Sequence, residues 1–89
     1  MADPIITGQM TATTTATQID GMSVSPARLY VHNMDTTKSL FIGGPDVTIN
    51  NGFAIDKSSV QDFIVFPDQG LYVVSDNGGH LVSWMRMPV

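Results

Sequence analysis

The stretch Ser39–Ile55, SLFIGGPDVTINNGFAI, sets three glycines, a proline and several small polar residues between short apolar runs. Loops of this composition can cradle a phosphate or a metal ion, and each use makes a definite demand on the neighbouring residues. A phosphate loop needs Gly-Lys-Ser/Thr after the glycine-rich turn, so that the lysine reaches the phosphates. Here Gly43-Gly44 runs into Pro45-Asp46, which places an acid where the phosphate would sit. A calcium loop needs alternating oxygen ligands, then a glycine, then a bidentate glutamate. Asp46, Thr48 and Asn50 supply the alternation, but the glycine arrives one residue late at Gly52, and Lys57 stands where the glutamate should be. Asp76-Asn77-Gly78 reads as a turn rather than a ligand set. No metal site and no cofactor is expected.

Nor do the remaining reactive side chains assemble into a catalytic motif. His32 and His80 have no companion at metal-ligand spacing, and the chain contains no cysteine. There is no G-x-S-x-G to single out a nucleophilic serine. The histidines read as partly exposed strand residues, and the eight aspartates fall mostly in turns, where Asx-turns account for them. The chain therefore reads as a non-enzyme, with no catalytic residues.

Composition narrows the class further. With 89 residues there is room for one domain, and a chain this short buries a thin core. Without cysteine it cannot be stapled by disulfides, so oligomerisation is the remaining common remedy. The net charge is −4, charged residues make up 13% and apolar residues 43%. That balance is not disordered, and it suits a chain that buries surface against neighbours. The four bases, Arg28, Lys38, Lys57 and Arg86, are scattered, so no nucleic-acid partner is expected. No apolar run approaches the roughly 20 residues that span a bilayer, so no membrane partner is expected either. The start, MADPIITGQM, lacks the basic and apolar regions of a signal peptide, and a soluble protein made inside the cell is the expectation.

The elements read as strands throughout. No window sustains a 3.6-residue apolar period, and Thr, Val, Ile and aromatics dominate between Gly, Pro, Asn and Asp. Strands are expected at TTTATQI (Thr13–Ile19), RLYVHN (Arg28–Asn33), SLFIG (Ser39–Gly43), DVTI (Asp46–Ile49), DFIVF (Asp62–Phe66), LYVVS (Leu71–Ser75) and HLVSWMRM (His80–Met87). In RLYVHN, Leu29 and Val31 share one face, with Tyr30 and His32 on the other. DFIVF is apolar on both faces, as in a fully covered strand. NMDTTK and SDNGGH have the length and composition of hairpin connections, and GGP, NNG, PDQG and DNGG supply Gly or Asn where positive φ is expected. About seven short strands at this spacing predict an all-β fold, a small antiparallel β-sandwich or barrel.

Residues 1–10 lie outside the strand pattern, leaving 11–89 as the β-domain. With Ile5, Ile6 and Met10, the first segment is either a frayed terminus or an arm packed on a neighbouring subunit. In the last strand Val82, Trp84 and Arg86 share one face, and Leu81, Ser83, Met85 and Met87 the other. A thin domain hardly covers both, so Ile5, Ile6, Met10, Trp84, Met85 and Met87 are the expected interface residues. A chain ending at Trp84 is then expected to assemble poorly.

The order TTTATQI, ARLYVHN, SLFIGGPDVTINNGFAI and GLYVVSDNGGHLVSWMRM resembles a small β-rich domain of tailed-bacteriophage virion proteins, over about Thr11 to Met87. The segment AIDKSSVQD departs from that pattern with a longer polar turn. The resemblance implies a structural virion protein made in the host cytoplasm: a capsid decoration (cement) or head-fibre protein on the capsid surface. Its partners would be the major capsid protein and copies of itself, as a homotrimer. The alternative it leaves open is a tail or baseplate component, or a carbohydrate-binding receptor-recognition module with Tyr30, Tyr72 and Trp84 as platforms.

Overall fold

A computed structural model describes residues 5–19, 26–66, 70–76 and 78–88. The described residues form eight strands: β1 (Ile6–Ala12), β2 (Thr17–Gln18), β3 (Ala27–Asn33), β4 (Leu40–Gly43), β5 (Phe53–Ile55), β6 (Val60–Val65), β7 (Tyr72–Val74) and β8 (His80–Pro88). They form two four-stranded antiparallel sheets, ordered β1-β8-β3-β6 and β2-β7-β4-β5, packed as a sandwich. The pairs β1·β8, β2·β7, β3·β6 and β4·β5 are those of one long two-stranded ribbon with its tip between β4 and β5. Folding that ribbon over on itself adds the pairs β3·β8 and β4·β7, the arrangement of a jelly roll.

Strand alternation builds the core. Burial in β3 alternates along its length, with Ala27, Leu29, Val31 and Asn33 inward and Arg28, Tyr30 and His32 outward, as the pattern predicts. Leu29 and Val31, with Val82 beside them in the same sheet, meet Leu40, Ile42, Ile55 and Val73 of the other sheet, and Ala12 and Ile19 belong to the same core. On the open side between β5 and β6, Phe53 and Phe63 meet edge to face, ring centres 6.2 Å apart at 89°.

Several expectations need correction. Residues 6–10 form most of β1, paired with β8 from Ile6↔Arg86 to Ala12↔His80, and the expected boundary at residue 10 falls inside this strand. Residues 1–4 of the expected arm, residues 67–69 of PDQG and Asn77 lie outside the described residues. Of TTTATQI, only Thr17–Gln18 is strand. DVTI is not a strand: Val47 is buried while Asp46, Thr48 and Ile49 are exposed in a turn closed by Val47 N–H donating to Gly44 O and Gly52 N–H to Thr48 O. DFIVF belongs to an edge strand, β6, and leaves Ile64 and Phe66 exposed. NMDTTK and SDNGGH are not hairpins, because β3 and β8 lie in one sheet while β4 and β7 lie in the other. Both are corners where the ribbon turns from sheet to sheet; among the described strands only β4 and β5 are consecutive neighbours within a sheet.

The glycines also act differently from expectation. No described glycine has positive φ, and the left-handed position falls instead on Ser58, at φ 57°. Ser58 sits in the turn Asp56–Ser59, closed by Ser59 N–H donating to Asp56 O, and its own N–H reaches Asp35 O at 3.0 Å. An L side chain is strained in this region. A Ser58→Gly chain is expected to gain about 0.5–1 kcal/mol, the relief being partly offset by the freer unfolded chain. Urea denaturation checks it; a loss of stability would count against the strain.

Candidate functional site

The inward phase of β3 continues past Val31 to Asn33, and that of β8 runs back from Val82 to His80. Both side chains are therefore driven into the end of the sandwich, where Ser75, just beyond β7, joins them. Asn33 and His80 are 0% exposed and Ser75 1%. This corrects the expectation for His80, which is fully buried; His32, on the outward phase, is exposed.

Buried polar groups must be hydrogen-bonded, and these are. Asn33 Nδ2 donates to Lys38 O (2.9 Å), Ile55 O (3.0 Å) and Asp56 O (3.1 Å). Its Oδ1 therefore faces the other way, accepting from Asp35 N–H at 3.1 Å and lying 2.5 Å from His80 Nε2. An amide oxygen can only accept, so the ring proton is on Nε2, which donates to Asn33 Oδ1. Nδ1 is then the bare nitrogen, and it accepts from Ser75 Oγ–H at 2.9 Å.

The cluster joins all four corners at this end. Asn33 closes β3, Lys38 leads into β4, Ile55 and Asp56 leave β5, and Ser75 and His80 flank the β7–β8 corner. Ser75 N–H adds the β1–β2 corner by donating to Thr13 O at 2.8 Å, and Met34 N–H donates to Leu81 O at 3.1 Å. Above the ring, Asp35 Oδ2 lies 3.9 Å from Nδ1, and Lys38 pairs with Asp76 at 3.5 Å. Burial holds the His80 pKa below its ordinary value, against the pull of Asp35 and Asp76. Hydrogen bonds from the Thr37 backbone and hydroxyl, with others, hold the Asp35 carboxyl below the usual range.

Serine, histidine and asparagine in this order resemble a nucleophile, base and orienting group. Nearly complete burial leaves no place for a substrate beside Ser75 Oγ in this conformation. The arrangement ties corners together. The glycine-rich stretch offers no site either: Asn51 Oδ1 accepts from Thr48 N–H at 2.7 Å and Thr48 Oγ1 from Asn50 N–H at 3.2 Å, so these oxygens serve their own loop. Among the described residues no group of three or more His, Cys, Asp or Glu is placed to hold a metal.

The expected interface residues divide. Met10 and Trp84 pack against the core, and the Trp84 ring lies over Gly8, where a Cβ would fall 2.6 Å from it. Ile5 is 60% exposed, and Ile6 lies at the margin of exposure. Met85 and Met87 are half-buried on the outer face of their sheet, level with Tyr30 and Arg28 of β3. That face also carries exposed Leu81, Val60 and Ile64, and the ion pair Arg28–Asp62 at 2.6 Å. A hollow of about 520 Å³ crosses it, lined by Thr7, Gln9, Tyr30, His32, Ser83 and Met85 among others. Residues 85–88 pair with β3 and residues 85–86 with β1, in the centre of the sheet. Cutting the chain after Trp84 removes structure as well as surface, so it cannot test assembly alone.

No family model and no curated protein matches this chain. A solved structure does: a chain from Bacillus endospore appendages, described as forming a novel family of disulfide-linked pili. The TM-score is 0.63 at 18% identity, covering 100% of this chain and 88% of that one. At that identity the likeness is one of fold. It corrects the resemblance drawn from turn residues, because the full-length counterpart is an appendage protein and not a phage virion domain. The capsid decoration role, the tail and receptor-recognition alternatives, the capsid partner, the homotrimer and the virion location fall with it.

Proposed function

We propose that this chain is a structural subunit that polymerises with copies of itself into a surface appendage, acting mechanically and without catalysis. The observation that carries the reading is the full-length likeness of fold to the endospore appendage chain. Two features of the chain support it. The polar cluster that most resembles catalytic machinery is sealed inside. The outer face of the β1-β8-β3-β6 sheet presents Leu81, Val60 and Ile64 beside Met85 and Met87, the kind of apolar surface that marks an interaction site. One departure sharpens the proposal: with no cysteine, the polymer would be held by packing and hydrogen bonds and not by disulfides.

Electron microscopy of the purified chain tests it. Filaments of uniform width that persist in a thiol reductant are expected; a monomer by light scattering at every concentration and pH examined would overturn it. A Leu81→Lys/Met85→Lys chain should keep the fold, since both side chains point outward, yet raise the critical concentration for assembly at least about tenfold. Circular dichroism and sedimentation separate those two effects.

A further inference from the structure

We propose that the Asn33–His80–Ser75 cluster is an acid-operated latch on the corner end of the sandwich, closed while the His80 ring is neutral and released when Nδ1 takes a proton. The inference holds whether or not the chain forms appendages. Its basis is the direction of the hydrogen bonds: Nε2 already donates to Asn33, so Nδ1 is the one ring atom that can be protonated, and it is occupied as an acceptor for Ser75.

Once protonated, Nδ1 must donate, so the Ser75 hydroxyl has to turn and accept where it had donated, and the ring then holds its charge at a site with 0% exposure. Asp35 Oδ2, at 3.9 Å, is the carboxylate in reach, but a hydrogen bond requires about 2.7–3.2 Å. Closing that gap moves the ring or the β3–β4 corner. That corner is held by Asp35 Oδ1, which accepts from Thr37 N–H, Thr37 Oγ1–H and Lys38 N–H. The move therefore strains the bonds from His80 to Asn33 and from Ser58 N–H to Asp35 O together.

The charged groups facing the ring are Asp35 from the β3–β4 corner and Asp76 from the β7–β8 corner, with Lys38 paired to Asp76. At the β5–β6 corner, Asp56 turns its carboxylate to its neighbour Lys57 N–H, and the β1 end presents Ala12 and Thr13 without charge. Because burial lowers the folded-state pKa of His80 below 6.5, the unfolded chain binds more protons in the window just beneath that value. The contribution to stability is thus complete above pH 6.5 and declines as pH falls from there towards the folded pKa. Asp35 acts lower, its contribution present above 3.8 and lost as pH falls through its own depressed pKa.

NMR of the intact chain decides the matter. The imidazole nitrogens should show an Nε2–H tautomer near neutral pH and a titration midpoint below 6.5. Between about pH 7 and 5.5, protection of the Met34, Asp35 and Ser75 amides should fall at least about threefold more than that of Tyr30 and Val31. An Nδ1–H tautomer, a midpoint at or above the ordinary value, or equal changes at corner and mid-sheet amides would each overturn the latch. In a folded His80→Gln chain the pH step should vanish, and its survival would overturn the assignment to His80; if that chain does not fold, the measurements on the unaltered chain decide alone.

Discussion

An Asn33→Ala chain is expected to lose about 3–4 kcal/mol of stability, much of what a small domain possesses. The loss is larger than the removal of one polar side chain suggests because of what is left behind. Carbonyls of Lys38, Ile55 and Asp56, the Asp35 amide and His80 Nε2 all lose a partner at once. Each group that stays buried and unsatisfied costs about 1–3 kcal/mol, and local relaxation that admits water recovers part of the total. Asn33→Asp keeps the shape but removes the donors and places a carboxylate at a site with 0% exposure, so it should be worse than alanine at neutral pH. Urea midpoints at constant m-value measure both. A loss below about 1 kcal/mol for alanine would show that the corners hold without the cluster.

The second large effect is expected at Gly52. A Cβ there would lie 2.8 Å from Phe41 Cβ, 2.9 Å from Val47 Cγ2 and 3.0 Å from Thr48 O. Two of those atoms belong to, or sit directly on, the backbone, so they cannot swing aside. Gly52→Ala should therefore cost about 2–3 kcal/mol by overpacking. Gly44, in the same connection, has nothing within 4 Å of its would-be Cβ. Gly44→Ala should be neutral or stabilising by up to about 1 kcal/mol, through loss of freedom in the unfolded chain. Thermal or urea denaturation of the pair distinguishes space from backbone freedom: equal costs at both positions would refute the steric account.

The all-β class was legible because alternation is local, and β3, β4 and β8 lie close to where Leu29/Val31, Leu40/Ile42 and Val82/Trp84 place them. The same alternation, carried one step further, puts Asn33 and His80 inside; their polarity argued for the surface, and nothing local announces a partner such as Ser75 on another strand. Corners were misread as hairpins because a turn's residues set its tightness and not the sheet to which the chain returns. DVTI misled for a related reason: its two apolar residues share a strand phase, but Gly52 packs against Val47 and closes a turn instead. The interface residues were only partly separable, since Trp84 and Met85 are neighbours in sequence and face opposite sides of one sheet.

A ribbon paired from its tip must also come together in an order. β4 and β5 are joined by the short Gly44–Gly52 connection, whereas β3·β6, β2·β7 and β1·β8 join progressively more distant parts of the chain. Closing each longer loop adds little entropy cost, but folds dominated by such pairings form over about milliseconds to seconds. β1 is placed to arrive last, and until it does β8 is an open edge. Were a second copy's β1 to meet that edge, it would have only the interval before this closure in which to pair.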